Sequence, residues 1–236
     1  MLLEIVKYLT TPCSRKARSM GYLKEAIGLE ARHKRCLLTW ASHLDASRAL
    51  MMQAAGMCAS KNRVVVLGSG GLFDIPLGQL SAMFEAVTLV DILHLRNVRR
   101  VVSGYSNVTL LEQDLTESGS WPHADLTISA NLVSQLPVIP LEHAARSGGT
   151  VDGKAMIESH LAALVKCPGT VCLMTETEHA VMAGDTIISR SDPLLGAKIP
   201  EQMGSPCQSW HWHFAPHPER HKDDDFRYRI DGFIRT

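Results

Sequence analysis

Four short stretches carry residues suited to holding a nucleotide, and they follow one another along the chain. Gly68-Ser69-Gly70 comes directly after the apolar run Val64–Leu67, where the lack of a Cβ lets the backbone approach a ligand closely. Asp91, followed by Ile92, stands at the end of a second apolar run, 23 residues after Gly68. A carboxylate there can accept from both hydroxyls of a ribose. Asp114, next to Leu115, ends a third run and is placed to accept from an exocyclic amine such as that of adenine. It equally suits the N-cap of a following helix. Ser129-Ala130-Asn131 ends a fourth, beside the place where a cofactor's reactive end would lie.

A second group of residues suits proton transfer and substrate contact. In TETEHA, Glu176, Glu178 and His179 come just after a fifth apolar run. His179 is the natural general base, because an unperturbed imidazole titrates near neutrality, and Glu178 is its carboxylate neighbour. Trp40 and His43, three apart, share one face of a helix. Together with Gln135 and Trp210 they are expected on the substrate side. The stretch WHWHFAP puts His211 and His213 on one strand face, with His217 and His221 nearby. Paired histidines of this kind can ligate zinc. No Cys or carboxylate at matching spacing completes such a set, so no metal is expected.

The elements that must position these groups follow from periodicity. Residues 21–59 read as helical: Leu37, Trp40, Ala41 and Leu44 follow i, i+3, i+4, i+7 spacing. From Asn62 the rhythm becomes strand–helix alternation. Strands are expected at Val64–Leu67, Ala86–Val90, Val108–Leu111, Asp125–Ser129 and Thr170–Met174, with helices at Ile75–Phe84, Leu93–Val102 and Val151–Lys166. Such a succession implies a parallel sheet covered on both faces. Residues 180–208, punctuated by Pro193, Gly196, Pro200, Gly204 and Pro206, read largely as a long loop. Two alternating segments around 210–214 and 226–230, separated by the polar stretch Pro216–Asp225, suggest an antiparallel pair closing the sheet. The expected fold is α/β: a doubly wound, mostly parallel sheet over 61–236, a terminal antiparallel strand pair, and an N-terminal helical cap over 1–60.

Taken together, these stretches resemble the Rossmann-like (class I) S-adenosylmethionine-dependent methyltransferases over about residues 60–180. VVVLGSGGLFD looks like the family's first motif, VTLVDI its second, VTLLEQDLTE its third and ADLTISANLVSQLP its fourth. The resemblance implies S-adenosylmethionine as cofactor and S-adenosylhomocysteine as product. It implies that Gly68, Ser69 and Gly70 border the methionine moiety, that Asp91 and Ile92 bind ribose, and that Asp114 and Leu115 frame adenine. Asn131 falls beside the methionine portion or the substrate. Two positions depart from the pattern: Val66 stands where the family has an acid, and Leu72 where it has a third glycine. Asp74 can stand in for the missing acid if the turn folds back.

Composition narrows the function classes. With 45% apolar and 20% charged residues over 236, a packed core is expected. The net charge is zero, but the first 63 residues carry 11 Lys/Arg against 4 Asp/Glu, and the rest carry 13 against 20. No tract resembles a polyanion-binding tail, and nucleic acid is not expected as a partner; a basic cap, an aromatic closing strand and a proline-broken loop point to a partly covered pocket, which favours a small-molecule acceptor over a macromolecule. The oligomeric state stays open. Six cysteines without a C-x-x-C pair suit free thiols in a reducing compartment. No apolar run reaches the ~18–20 residues of a membrane span, and a cytoplasmic protein is expected. Three rivals remain: a nicotinamide-dependent oxidoreductase, a protein that uses S-adenosylmethionine for aminopropyl transfer or as a mere ligand, and a non-catalytic scaffold. Phe73 opposes the first, because it occupies the third-glycine position a dinucleotide would need.

Overall fold

The computed structural model describes residues 2–117, 119–219 and 224–236; His221 lies outside them. Four helices precede the first strand: α1 (Leu2–Thr10), α2 (Arg15–Met20), α3 (Tyr22–Arg35) and α4 (Leu37–Met57). The helical region therefore begins well ahead of residue 21. Alternation follows: β1 (Arg63–Leu67), α5 (Leu77–Met83), β2 (Ala86–Asp91), α6 (Arg96–Val102), β3 (Val108–Glu112) and β4 (Leu126–Ala130). Next come α7 (Val138–Ser147), α8 (Gly153–Val165), β5 (Thr170–Ala183) and β6 (Thr186–Ser191). The last two strands are β7 (Gln208–Ala215) and β8 (Asp225–Arg235). Among the described residues no helix is long and apolar enough to cross a membrane.

The strands form one eight-stranded sheet in the order β3-β2-β1-β4-β5-β8-β7, with β6 attached to β5. β1 to β5 are parallel, while β8 pairs antiparallel with both β5 and β7. The chain order reverses direction between β1 and β4, the crevice where open α/β sheets bind ligands. Side chains of β1 serve both faces in turn. Val64 and Val66 pack with Leu50, Ala54 and Leu80 on one face. Val65 and Leu67 pack with Ile157, Leu161 and Leu164 of α8 on the other. An unbroken apolar run is what burial on both faces requires.

Two expectations need correcting. TETEHA does not follow β5 but lies within it, because β5 continues to Ala183 and stays paired with β8. The span 180–208 is a loop only in part: β5 turns at Gly184-Asp185 into β6 and Glu201–Met203 forms a single 3-10 turn, while 192–200 and 204–207 are irregular as expected. Every residue of β6 is exposed, so it lacks the apolar alternation that marks a strand.

Gly169, in the turn entering β5, has φ +75°, and a Cβ built there would lie 2.5 Å from the Asp125 carbonyl oxygen. The left-handed backbone alone costs a non-glycine residue roughly 1–2 kcal/mol, and the carbonyl belongs to backbone that cannot rotate away. Gly169→Ala should therefore lower the melting temperature by about 4 °C or more. A thermal melt within 1 °C of the parent would contradict this.

Candidate functional site

The carboxyl ends of β1, β2, β3 and β4 form the floor of a cavity of about 290 Å³, and α3 and α4 supply its roof. The volume is near the lower end for ligand pockets (roughly 300–1,000 Å³). Gly68, Ser69, Gly70, Asp74, Asp91, Ile92, Asp114, Leu115 and Asn131 all line it, as do Trp40, His43 and Gln135.

The glycine turn is held from below and above. Gly68 has φ +76°, and an added Cβ would lie 2.9 Å from the Leu132 side chain and 3.1 Å from the Ala130 carbonyl. Leu72, where a third glycine was expected, adopts φ 62°. The backbone thus keeps a glycine-like path at a cost of roughly 1–2 kcal/mol, strain of the kind found at ligand clamps. The bare Gly71 leaves room for the Phe73 ring, which lines the cavity and stacks on His33 of α3 at 4.0 Å. Arg48 of α4 donates to the Phe73 carbonyl.

Asp91 accepts from the Gly70 amide at 2.7 Å and from the Ile92 amide at 2.8 Å. Burial pushes its carboxyl up to about 6, and those amides oppose the rise. An ionised carboxylate offers about four acceptor positions, and the Leu93 amide also bears on it, so at least one position remains for a hydroxyl donor. Asp114 is more committed. It accepts from the Thr116 amide (3.0 Å) and hydroxyl (2.6 Å), and from Lys16 of α2 at 2.8 Å. Burial alone would raise its carboxyl, but the Lys16 and Thr116 hydrogen bonds hold it below the usual range.

Asp74 does fold back into the cavity. It accepts from Asn131 Nδ2 at 2.9 Å, and burial raises its carboxyl above the ordinary value. Asn131 has φ 48°, a left-handed conformation that asparagine tolerates better than most residues. Its Oδ1 is buried with no hydrogen-bond partner among the described residues. An orphan acceptor beside a carboxyl calls for a donor, and an ammonium group meets that need.

On the opposite side, Glu176 of β5 lines the cavity and is 1% exposed. It accepts from Ser134 (3.0 Å), from Gln135 (3.0 and 3.1 Å) and from His179 Nε2 (2.7 Å). His179 does not itself line the cavity; it stands behind Glu176, stacked on Tyr228 at 3.7 Å. Glu178 lies elsewhere, 41% exposed and 3.3 Å from Arg190. A register shift between Glu176 and Glu178 interrupts the alternation that would have put both on one face. Glu176 is the acid that sequence reasoning passed over, since nothing in TETEHA distinguishes it from Glu178.

Aromatic rings close the remaining wall. Trp40 meets Trp212 edge-on at 4.9 Å and donates to the Phe214 carbonyl at 2.9 Å. His43 stacks on Trp212 at 4.0 Å and accepts through Nδ1 from Trp210 Nε1 at 3.0 Å. Trp210 therefore stands behind His43 rather than in the lining. Burial drives the His43 imidazole down to about 3, so it is neutral near pH 7. With Nδ1 accepting, its proton resides on Nε2. Farther along β7, His213 Nε2 is 3.3 Å from Asp225. Among the described residues no three His, Cys, Asp or Glu side chains gather to hold a metal.

No protein-family model matches the chain, and no curated protein matches it. Several solved structures are similar at low identity. The N-methyltransferase NodS from Bradyrhizobium japonicum WM9 is 13% identical, with 81% of this chain and 95% of that chain covered and a TM-score of 0.47. The Burkholderia thailandensis 1,6-didemethyltoxoflavin-N1-methyltransferase, solved with 1,6-didemethyltoxoflavin and S-adenosylhomocysteine, is 13% identical over 86% and 87%, with a TM-score of 0.44. A DhpI-SAM-HEP complex is 15% identical over 93% and 83%, also with a TM-score of 0.44.

Proposed function

We propose that the protein is an S-adenosylmethionine-dependent methyltransferase acting on a small molecule. The observation that carries this reading is the acidic and acceptor-rich floor of the cavity. Asp91 has at least one acceptor position left for a ribose hydroxyl, and Asp74 with the orphan Asn131 Oδ1 suits the ammonium of a methionine moiety. Asp74 thereby does the work of the acid missing at Val66. Asp114 contributes less than expected to adenine, because Lys16 and Thr116 already occupy most of its acceptor positions. When bound, the cofactor supplies an activated methyl group; the chain's task is to align the acceptor with it and exclude water. Glu176, backed by His179, is the group placed to take a proton from the acceptor.

A dinucleotide suits the cavity less well. Its pyrophosphate needs a free helix N-terminus beside the glycine turn. Here α5 starts only at Leu77, with Pro76 at its cap, and the Phe73 ring lies over Gly71. Calorimetry separates the readings: S-adenosylmethionine and S-adenosylhomocysteine should bind at micromolar concentration or tighter, and NAD should not. Binding of NAD alone would overturn the proposal.

A further inference from the structure

We infer that the methyl acceptor is an arylalkylamine, held by Glu176 against the ring wall of Trp40, His43 and Trp212; this rests on the methyltransferase reading above. The first ground is charge. Glu25, Asp74, Asp91, Asp114 and Glu176 line the cavity, and among the described residues no Lys or Arg does. Lys16 offsets Asp114 from outside the lining, and His43 is kept neutral by burial. With Asp74, Asp91 and Asp114 given over to the cofactor, an anionic acceptor, whether carboxylate or phosphate, would enter with no lining cation to meet it and Glu25 and Glu176 to repel it. An ammonium or amine enters with none of that cost.

The second ground is the geometry of Glu176. Oε2 is engaged by Ser134, Gln135 and His179, while Oε1 accepts only the shared Gln135 amide. One acceptor position on Oε1 is therefore left, on a carboxyl whose orientation three neighbours fix. An amine donor fills it. The same carboxyl is also the proton acceptor such a substrate needs. The N–H bond breaks, an O–H bond forms at Glu176 Oε1 and neutralises the carboxylate, and the electron pair remains on nitrogen; His179 is hydrogen-bonded to the other oxygen, Oε2.

The third ground is the wall. His43 and Trp212 are stacked with planes 5° apart, and Trp40 meets Trp212 edge-on. Trp40, His43, Trp212 and Phe214 line the same cavity as Glu176, and behind that lining the ring stack continues through Tyr228 to His179. Aromatic faces beside a carboxyl are a chemistry that selects ammonium groups and flat bodies.

The test uses the full chain saturated with S-adenosylhomocysteine and titrated with phenethylamine and tryptamine, alongside phenethyl alcohol and phenylacetate. The amines should bind at least tenfold more tightly than the alcohol or the acid. Glu176→Gln should leave S-adenosylhomocysteine affinity within about twofold and weaken the amines at least tenfold. Equal binding of alcohol and amine, preference for the acid, no amine binding, or undiminished amine affinity in Glu176→Gln would each overturn the inference while leaving the methyltransferase reading standing. Absence of S-adenosylhomocysteine binding in the parent protein would instead overturn that underlying reading, and this inference with it. If Glu176→Gln fails to fold, judged by its thermal melt, the ranking of probes on the parent protein decides.

Discussion

Asp91→Ala should weaken S-adenosylhomocysteine at least 100-fold, the largest single loss expected at the cofactor site. Hydrogen bonds to a charged group contribute roughly 1.5–3 kcal/mol each, and at least one such bond to a ribose hydroxyl would be lost. The carboxylate also holds the glycine turn through the Gly70 amide, so its removal loosens the neighbouring floor. Unchanged affinity would remove Asp91 from the site. A pH dependence accompanies this. Burial raises the folded carboxyl to about 6, above the ~3.9 of an unfolded aspartate. The folded state therefore binds more protons between those values. The stability this gives is complete below about pH 4 and is lost as pH rises through about 6. Ligand binding runs the other way, because hydroxyl donors need the ionised form. Affinity should be about tenfold weaker at pH 5 than at pH 7.5. Asp91→Asn should bind weakly at both values, with that dependence flattened. A parent affinity independent of pH would contradict the assignment.

Trp40→Ala should have the largest effect on stability. Trp40 is 1% exposed, packs edge-on against Trp212, and bonds the Phe214 carbonyl. It therefore joins α4 to β7 through both packing and a hydrogen bond. Truncating a buried tryptophan costs roughly 3–5 kcal/mol, which lowers the melting temperature of a chain this long by roughly 6–20 °C. Below its melting point the variant should still bind S-adenosylhomocysteine, since the floor rests on β1 to β4. A melt within 2 °C of the parent would show that the ring wall does not fasten the cap.

The parallel half of the sheet was legible because burial on both faces writes itself as apolar runs such as Val64–Leu67. The floor residues were legible because each stands where such a run ends. Other features left weaker traces. β6 is exposed throughout, and only Gly184-Asp185 between two β-type segments signalled the hairpin. The distinction between Glu176 and Glu178 depends on a register shift against β8, set by pairing across 50-odd residues of chain. Asp114 shows the converse: its position in the sequence was right for adenine, yet its oxygens are spent on Lys16 and Thr116. No local pattern announces a lysine nearly a hundred residues away.

The order β5-β8-β7 gives the two sides of the cavity different histories. The floor draws on residues 68–131 and needs only neighbouring strands to assemble. The ring wall draws on Trp40 and on Trp212, and β7 has no strand partner until β8 has inserted between it and β5. Contacts so distant along the chain carry the larger loop-closure cost and form late. A partly folded chain would thus meet its cofactor before it could discriminate among acceptors.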